Sequence, residues 1–101
     1  MITIAYTRDN NSSRSLRIVG HALSDVVGKD LVCCAVSTLV QTLVMYLESE
    51  KVEVNGYMKE GDVYITVNDV RAIPYFNLIT FGLEQLADQF NNYITFQKVL
   101  T

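Results

Sequence analysis

The sequence predicts an α+β domain: a single mixed β-sheet with two helices packed on one face, in the order β-β-α-β-β-α-β. Short alternating, β-rich segments recur along the chain, two longer apolar segments have helical spacing, and turn chemistry separates them. With 101 residues there is room for one domain and one modest core, so residues 1–101 read as a single unit. Apolar residues make up 50% of the chain and charged residues 19%, a composition opposite to that of a disordered segment. So much apolar material also leaves some for the surface of a partner.

Residues 2–7 alternate and read as a strand. Asp9-Asn10-Asn11-Ser12-Ser13 is turn chemistry, and residues 15–19 read as the returning strand with Leu16 and Ile18 on one face. Residues 20–29 form a loop with Gly20 and Gly28 towards its ends. Asp30 then reads as the N-cap of a long helix over 31–47, which places Cys33 in its first turn. Leu31, Val32, Ala35, Val36, Leu39, Val40, Leu43 and Leu47 make its apolar side, Cys34, Thr38, Gln41, Thr42 and Met45 the other, and Cys33 lies on the boundary. Val52 and Val54, then Val63, Ile65 and Val67, alternate on either side of Lys59-Glu60-Gly61-Asp62 and predict a second hairpin. Ala72, Phe76, Ile79, Leu83, Leu86 and Phe90 recur at helical spacing, with Pro74 in the first turn and Asn91-Asn92 as the stop. Residues 93–100 read as the last strand.

Several function classes drop out. The net charge is −3 and the basic residues are scattered, so no basic patch exists to grip a phosphate backbone, and no direct nucleic-acid binding is expected. The N-terminus lacks the basic start and small-residue cleavage site of a signal peptide. The apolar stretch 31–47 carries Ser37, Thr38, Gln41 and Thr42 and falls short of the roughly 20 residues that span a bilayer. It reads as a buried helix, with no membrane as partner. Adjacent cysteines cannot form an unstrained disulfide with each other, so both thiols are expected reduced, and the cytoplasm is the expected location.

One stretch carries chemistry. Gly20-His21-Ala22, five variable residues, then Gly28-Lys29-Asp30-Leu31-Val32-Cys33-Cys34-Ala35-Val36-Ser37 holds the sole histidine and both cysteines. Thiolate is the reactive form of cysteine, favoured by a helix N-terminus or a protonated histidine. Unpaired N–H groups of a first helical turn are also suited to hold the oxyanion of a tetrahedral intermediate. Chemistry alone leaves two readings open: a Cys33–His21 dyad, or a packing cysteine and a surface histidine. One histidine, two adjacent cysteines and Asp30 are an awkward ligand set for zinc, so no metal or other cofactor is expected. Val40 and Val44, in phase with Cys33 and Ser37, read either as plain core or as an apolar shelf for a peptide.

The same stretch resembles the ribosomal-processing cysteine protease family Prp, whose signature runs G-H-A, a short variable loop, G-x-D-I-V-C-A, and a serine four residues after the cysteine. Gly20, His21, Ala22, Gly28, Asp30, Val32, Cys33 and Ser37 match, with Leu31 in place of isoleucine. The resemblance implies Cys33 as nucleophile and His21 as catalytic base, with Asp30, Ser37, Gly20 and Gly28 supporting them. It also implies removal of a short N-terminal extension from a large-subunit ribosomal protein, at paired aromatic residues followed by a small one. A phage capsid or scaffold protein with a similar motif is the variant substrate, and a homodimer the implied assembly. The loop between His21 and Gly28 is expected to open for substrate. Two departures stand out: Cys34 replaces alanine, and Leu23-Ser24-Asp25-Val26-Val27 is more apolar than the loops of ribosomal members. The alternative reading is a non-catalytic homodimeric peptide-binding protein of the same fold.

Overall fold

The computed structural model describes residues 1–20 and 27–100. Its elements are β1 (Ile2–Arg8), β2 (Ser13–Val19), α1 (Val27–Ser49), β3 (Asn55–Lys59), β4 (Asp62–Asn68), a single 3-10 turn at Val70–Ala72, α2 (Ile73–Gln89) and β5 (Ile94–Leu100). The five strands form one sheet in the order β3-β4-β2-β1-β5. β5 runs parallel to β1, while the other neighbours are antiparallel, which makes the sheet mixed as expected.

Alternation decides which face of the sheet is covered. Ile2, Ile4 and Tyr6 of β1, Leu16 and Ile18 of β2, Ile65 and Val67 of β4 and Ile94 of β5 are buried. Period-2 spacing puts each set on one face of its strand, and the register aligns Leu16 with both Tyr6 and Ile65. Val32, Val36, Val40, Leu43 and Leu47 of α1 and Phe76, Ile79, Leu83 and Ala87 of α2 close the same core. The segment Leu31–Ser49 meets the length and composition of a membrane span, but its apolar stripe is spent on this core. Tyr6 links sheet to helix twice, stacking on Phe76 at 6.1 Å and donating from its hydroxyl to Asn77 Oδ1 at 3.0 Å.

The turns follow from side-chain chemistry. Asn10 Oδ1 accepts from the backbone N–H of Ser12 and of Ser13, both at 2.9 Å, and so turns β1 into β2. Asp69 caps the 3-10 turn by accepting from the Arg71 N–H at 2.9 Å, and Pro74 sits in the first turn of α2, where its missing N–H costs nothing. Asp69 is half-buried, and the Arg71 side chain, followed by the Arg71 backbone bond, holds its carboxyl below the usual value.

Three expectations are corrected. α1 begins at Val27, not at Leu31, so Asp30 lies inside the helix rather than capping it, and Gly28 is helical rather than part of the loop. Leu31, placed on the apolar side by periodicity, is 66% exposed. Val52 and Val54 precede β3 instead of starting it. Val52 belongs to the helix stop: its N–H reaches Leu47 O at 3.0 Å while the Lys51 N–H reaches Glu48 O at 3.1 Å, the paired bonds of a Schellman motif. Buried Val52 supplies the apolar contact such a stop requires, and Lys51 adopts the left-handed conformation at φ 62°.

Two substitutions of opposite sense test these backbone assignments. Gly56 has φ 124°, and a Cβ there would run into the Tyr64 carbonyl oxygen. Gly56→Ala is expected to cost about 1–3 kcal/mol, the scale of backbone strain at such positions. Lys51→Gly should instead raise stability by about 1 kcal/mol, because a non-glycine residue bears the left-handed strain now. Urea denaturation of the two variants measures both effects.

Candidate active site

The match to a helix of 3.6 residues per turn fixes what surrounds Cys33. Relative to Cys33, Val40 and Val44 lie within about 20° around the α1 axis, Ser37 about 40° and Glu48 about 60° to one side. The core stripe of Val36, Leu43 and Leu47 lies on the other side. Leu39, Ala35 and Tyr46 face α2, where Tyr46 meets Tyr75 at 4.9 Å. Cys33 therefore sits on the flank of α1 turned away from α2. It is half-buried and packs against the core, whereas Cys34 is exposed. The boundary position expected for Cys33 is the one observed.

Its position along the helix is not. Starting at Val27, α1 places Cys33 six residues after its first residue, in the second turn rather than the first. An α-helical N–H at that depth is already bonded to the carbonyl four residues back. The dipole effect of a helix N-terminus fades within the first turn. Neither a free Cys33 N–H nor the helix terminus is thus available to this thiol, and unpaired helix donors end with residue 30.

Gly20 closes β2 at the other side of the site. With φ 104° and the Met1 carbonyl where a Cβ would lie, it admits only glycine. Its N–H donates to Gly61 O at 2.9 Å, which ties the exit of β2 to the β3–β4 turn. His21, and the loop expected to open for substrate, lie outside the described residues. Ser37 is exposed one helical turn beyond Cys33. Among the described residues no group of three His, Cys, Asp or Glu side chains is placed to hold a metal ion.

A cavity of about 160 Å³ opens on the same flank, between Val44 and Glu48 of α1, Val54 just before β3, Gly56 and Met58 of β3, and Ile65 of β4. The sequence reading reached Val44 but not the β3 wall. Its one signal was a glycine inside a strand pattern, which marks a bulge or an open space beside the backbone. Hydrogen bonds to Tyr75 and then Glu50 push the exposed Tyr46 phenol well above its ordinary range, at the C-terminal end of α1.

The fold finds clear counterparts. The family model for cysteine protease Prp matches residues 1–95. The structure of SMU.848 from Streptococcus mutans aligns with a TM-score of 0.78 at 26% identity, covering 100% of this chain and 96% of that one. The ribosomal processing protease Prp from S. aureus, in complex with a substrate peptide, aligns with a TM-score of 0.84 at 18% identity, covering 97% and 99%. A second structure of that protease, with a covalently linked product peptide, gives 0.76 at 16% identity over the same shares. Comparison with curated protein sequences finds no match. The domain is a cysteine peptidase, a hydrolase. It belongs to the cysteine protease Prp family.

The burial difference between the two thiols has a measurable consequence. Cys33→Ala removes a side chain that is only half-buried and should cost about 1 kcal/mol or less. Cys34→Ala should leave stability unchanged to within about 0.5 kcal/mol, as for other exposed positions. A thermal melt of each checks this; a larger loss at Cys34 would mean that α1 is rotated from the orientation described.

Proposed function

We propose that this peptidase removes a short N-terminal extension from a large-subunit ribosomal protein, with Cys33 as nucleophile and His21 as general base. The observation that carries the assignment of Cys33 is its half-buried position on the flank of α1 turned away from α2. The eight matching signature positions, within a family match over residues 1–95, support His21 as the partner. In this mechanism His21 takes the Cys33 proton, the Sγ attacks the scissile carbonyl, and the amine leaves with the proton from His21. Water then releases the acyl group from the thioester, and the thiol is restored. Because the helix terminus does not reach Cys33, activation falls chiefly to His21. Asp30, inside the first helical turn, and Gly20 and Gly28 act as supports of the intervening segment, and Ser37 lines the approach. Catalysis by a thiol requires a reducing compartment, which favours the cytoplasm.

A phage capsid or scaffold protein with a similar motif is the second substrate class, favoured by the apolar character of the segment after His21. A non-catalytic peptide binder would have no need of the His21–Cys33 pair. The assembly we propose is a homodimer through the outer faces of α1 and α2, where Met45, Leu78 and Phe81 are 68%, 67% and 62% exposed. An exposed apolar set of this kind on a small domain marks an interaction surface.

A cleavage assay on a peptide bearing Phe-Phe-Ala, run beside circular dichroism, tests the assignment. Cys33→Ala should abolish cleavage, Cys34→Ala should leave most of it, and His21→Ala should slow it by roughly 100-fold or more. Activity that survives Cys33→Ala but not Cys34→Ala would overturn the choice of thiol. Loss of neither would leave the binding module as the better reading. Phe81→Glu should convert the dimer to a monomer in sedimentation equilibrium; a wild-type monomer contradicts the assembly.

A further inference from the structure

Beside the edge strand β3, the flank of α1 that carries Cys33 opens a groove at Val44 and Glu48, towards the other end of the helix from Cys33. Among the described residues β3 pairs only with β4, so alternate residues of β3 turn their N–H and C=O groups away from the sheet. On the helix-covered face Gly56 lies opposite Ile65 and lines the cavity shared with Val44, Val54 and Met58. The groove has a direction. Glu48 meets Val54 and Asn55 at the start of β3, and the β3–β4 turn lies at the other end, tied to Gly20. α1 thus runs antiparallel to β3, with Cys33 towards the turn end.

We propose that this groove binds the substrate as an added β-strand along β3, with one apolar side chain in the Gly56–Val44 cavity and a basic residue opposite Glu48. The proposal rests on the peptidase reading above. An extended polypeptide is the occupant that fits, because a strand edge is satisfied by backbone donors and acceptors in register, and a cavity beside it takes every second side chain. Position follows from length. Val44 lies eleven residues along α1 from Cys33, about 16 Å, which is the span of about five extended residues. The cavity therefore selects a residue about five positions from the scissile bond, well outside the bond's immediate neighbours. Glu48, one helical turn further on, adds a negative charge at the far end of the groove.

The test uses synthetic peptides with the same Phe-Phe-Ala core: a short one of six residues, and a set of longer Ser/Gly-flanked ones in which a single Leu is walked outwards on either side. The readout is the ratio of long-peptide to short-peptide kcat/KM. Wild-type protein should favour the peptide with Leu near the fifth position by about tenfold or more, the scale of discrimination by an apolar pocket. Val44→Phe, which fills the cavity, should collapse that ratio towards one. Replacing the residue beyond Leu with Lys should raise the ratio in wild type and lower it in Glu48→Lys, a variant at an exposed position that keeps the test open if Val44→Phe fails to fold. In Cys33→Ala protein the best long peptide should slow amide hydrogen exchange along β3. A ratio of one at every Leu position, with the core peptide still cleaved, overturns the groove while leaving the peptidase intact. If no peptide is cleaved, the peptidase reading fails, and hydrogen exchange alone decides: unchanged β3 amides, or slowing at β5 instead, overturn the groove as well.

Discussion

Burial of one stripe of α1 against the sheet is the constraint on which the rest of the structure depends. Val32, Val36, Val40, Leu43 and Leu47 meet Ile4, Leu16, Ile65 and Val67 in a single core, and no other rotation of the helix buries as much. At roughly 1.5–3 kcal/mol for each large apolar side chain removed from water, that stripe outweighs any single polar contact in the molecule. Rotation of the helix fixes the rest: Leu39 and Tyr46 turn to α2, Cys34 turns to solvent, and Cys33 is left on the flank above β3. Hydrophobic packing of residues three and seven positions away positions the Cys33 thiol.

Flank and sheet edge act together. α2 closes one side of α1 through Tyr46 and Tyr75 and through the close approach of Leu39 to Gly82. On the other side β3 is an edge strand of five residues, and among the described residues no third helix covers it. The cavity between Val44, Glu48 and Gly56 lies there.

Much of this was legible in the sequence. Alternation in β1, β2 and β4 and the spacing of Phe76, Ile79 and Leu83 specify strands and helix because burial on one face leaves no other period. The boundary position of Cys33 follows from the same periodicity. The helix start was not legible, because Asp30 is a good cap by composition and Gly28 a poor helix residue, and local preference of about 1 kcal/mol is easily overridden by tertiary context. The exposure of Leu31 follows from the same extension of the helix, which carries it past the edge of the core. Val52 looked like a strand residue because a β-branched apolar side chain serves a Schellman stop as well as a strand. The β3 wall of the groove was hidden because β3 offers few apolar residues, and pairing across a sheet cannot be read from a single strand.

The central claim is that α1 presents Cys33, and not the adjacent Cys34, to the scissile carbonyl. Rapid acid quench of the wild-type protein with a Phe-Phe-Ala peptide, followed by mass analysis and fragmentation, locates the acyl group directly. A thioester on Cys33 Sγ, carrying the N-terminal part of the peptide, is the predicted result; an acyl group on Cys34, or product formation in single turnover with no acyl-enzyme on either thiol, contradicts the account.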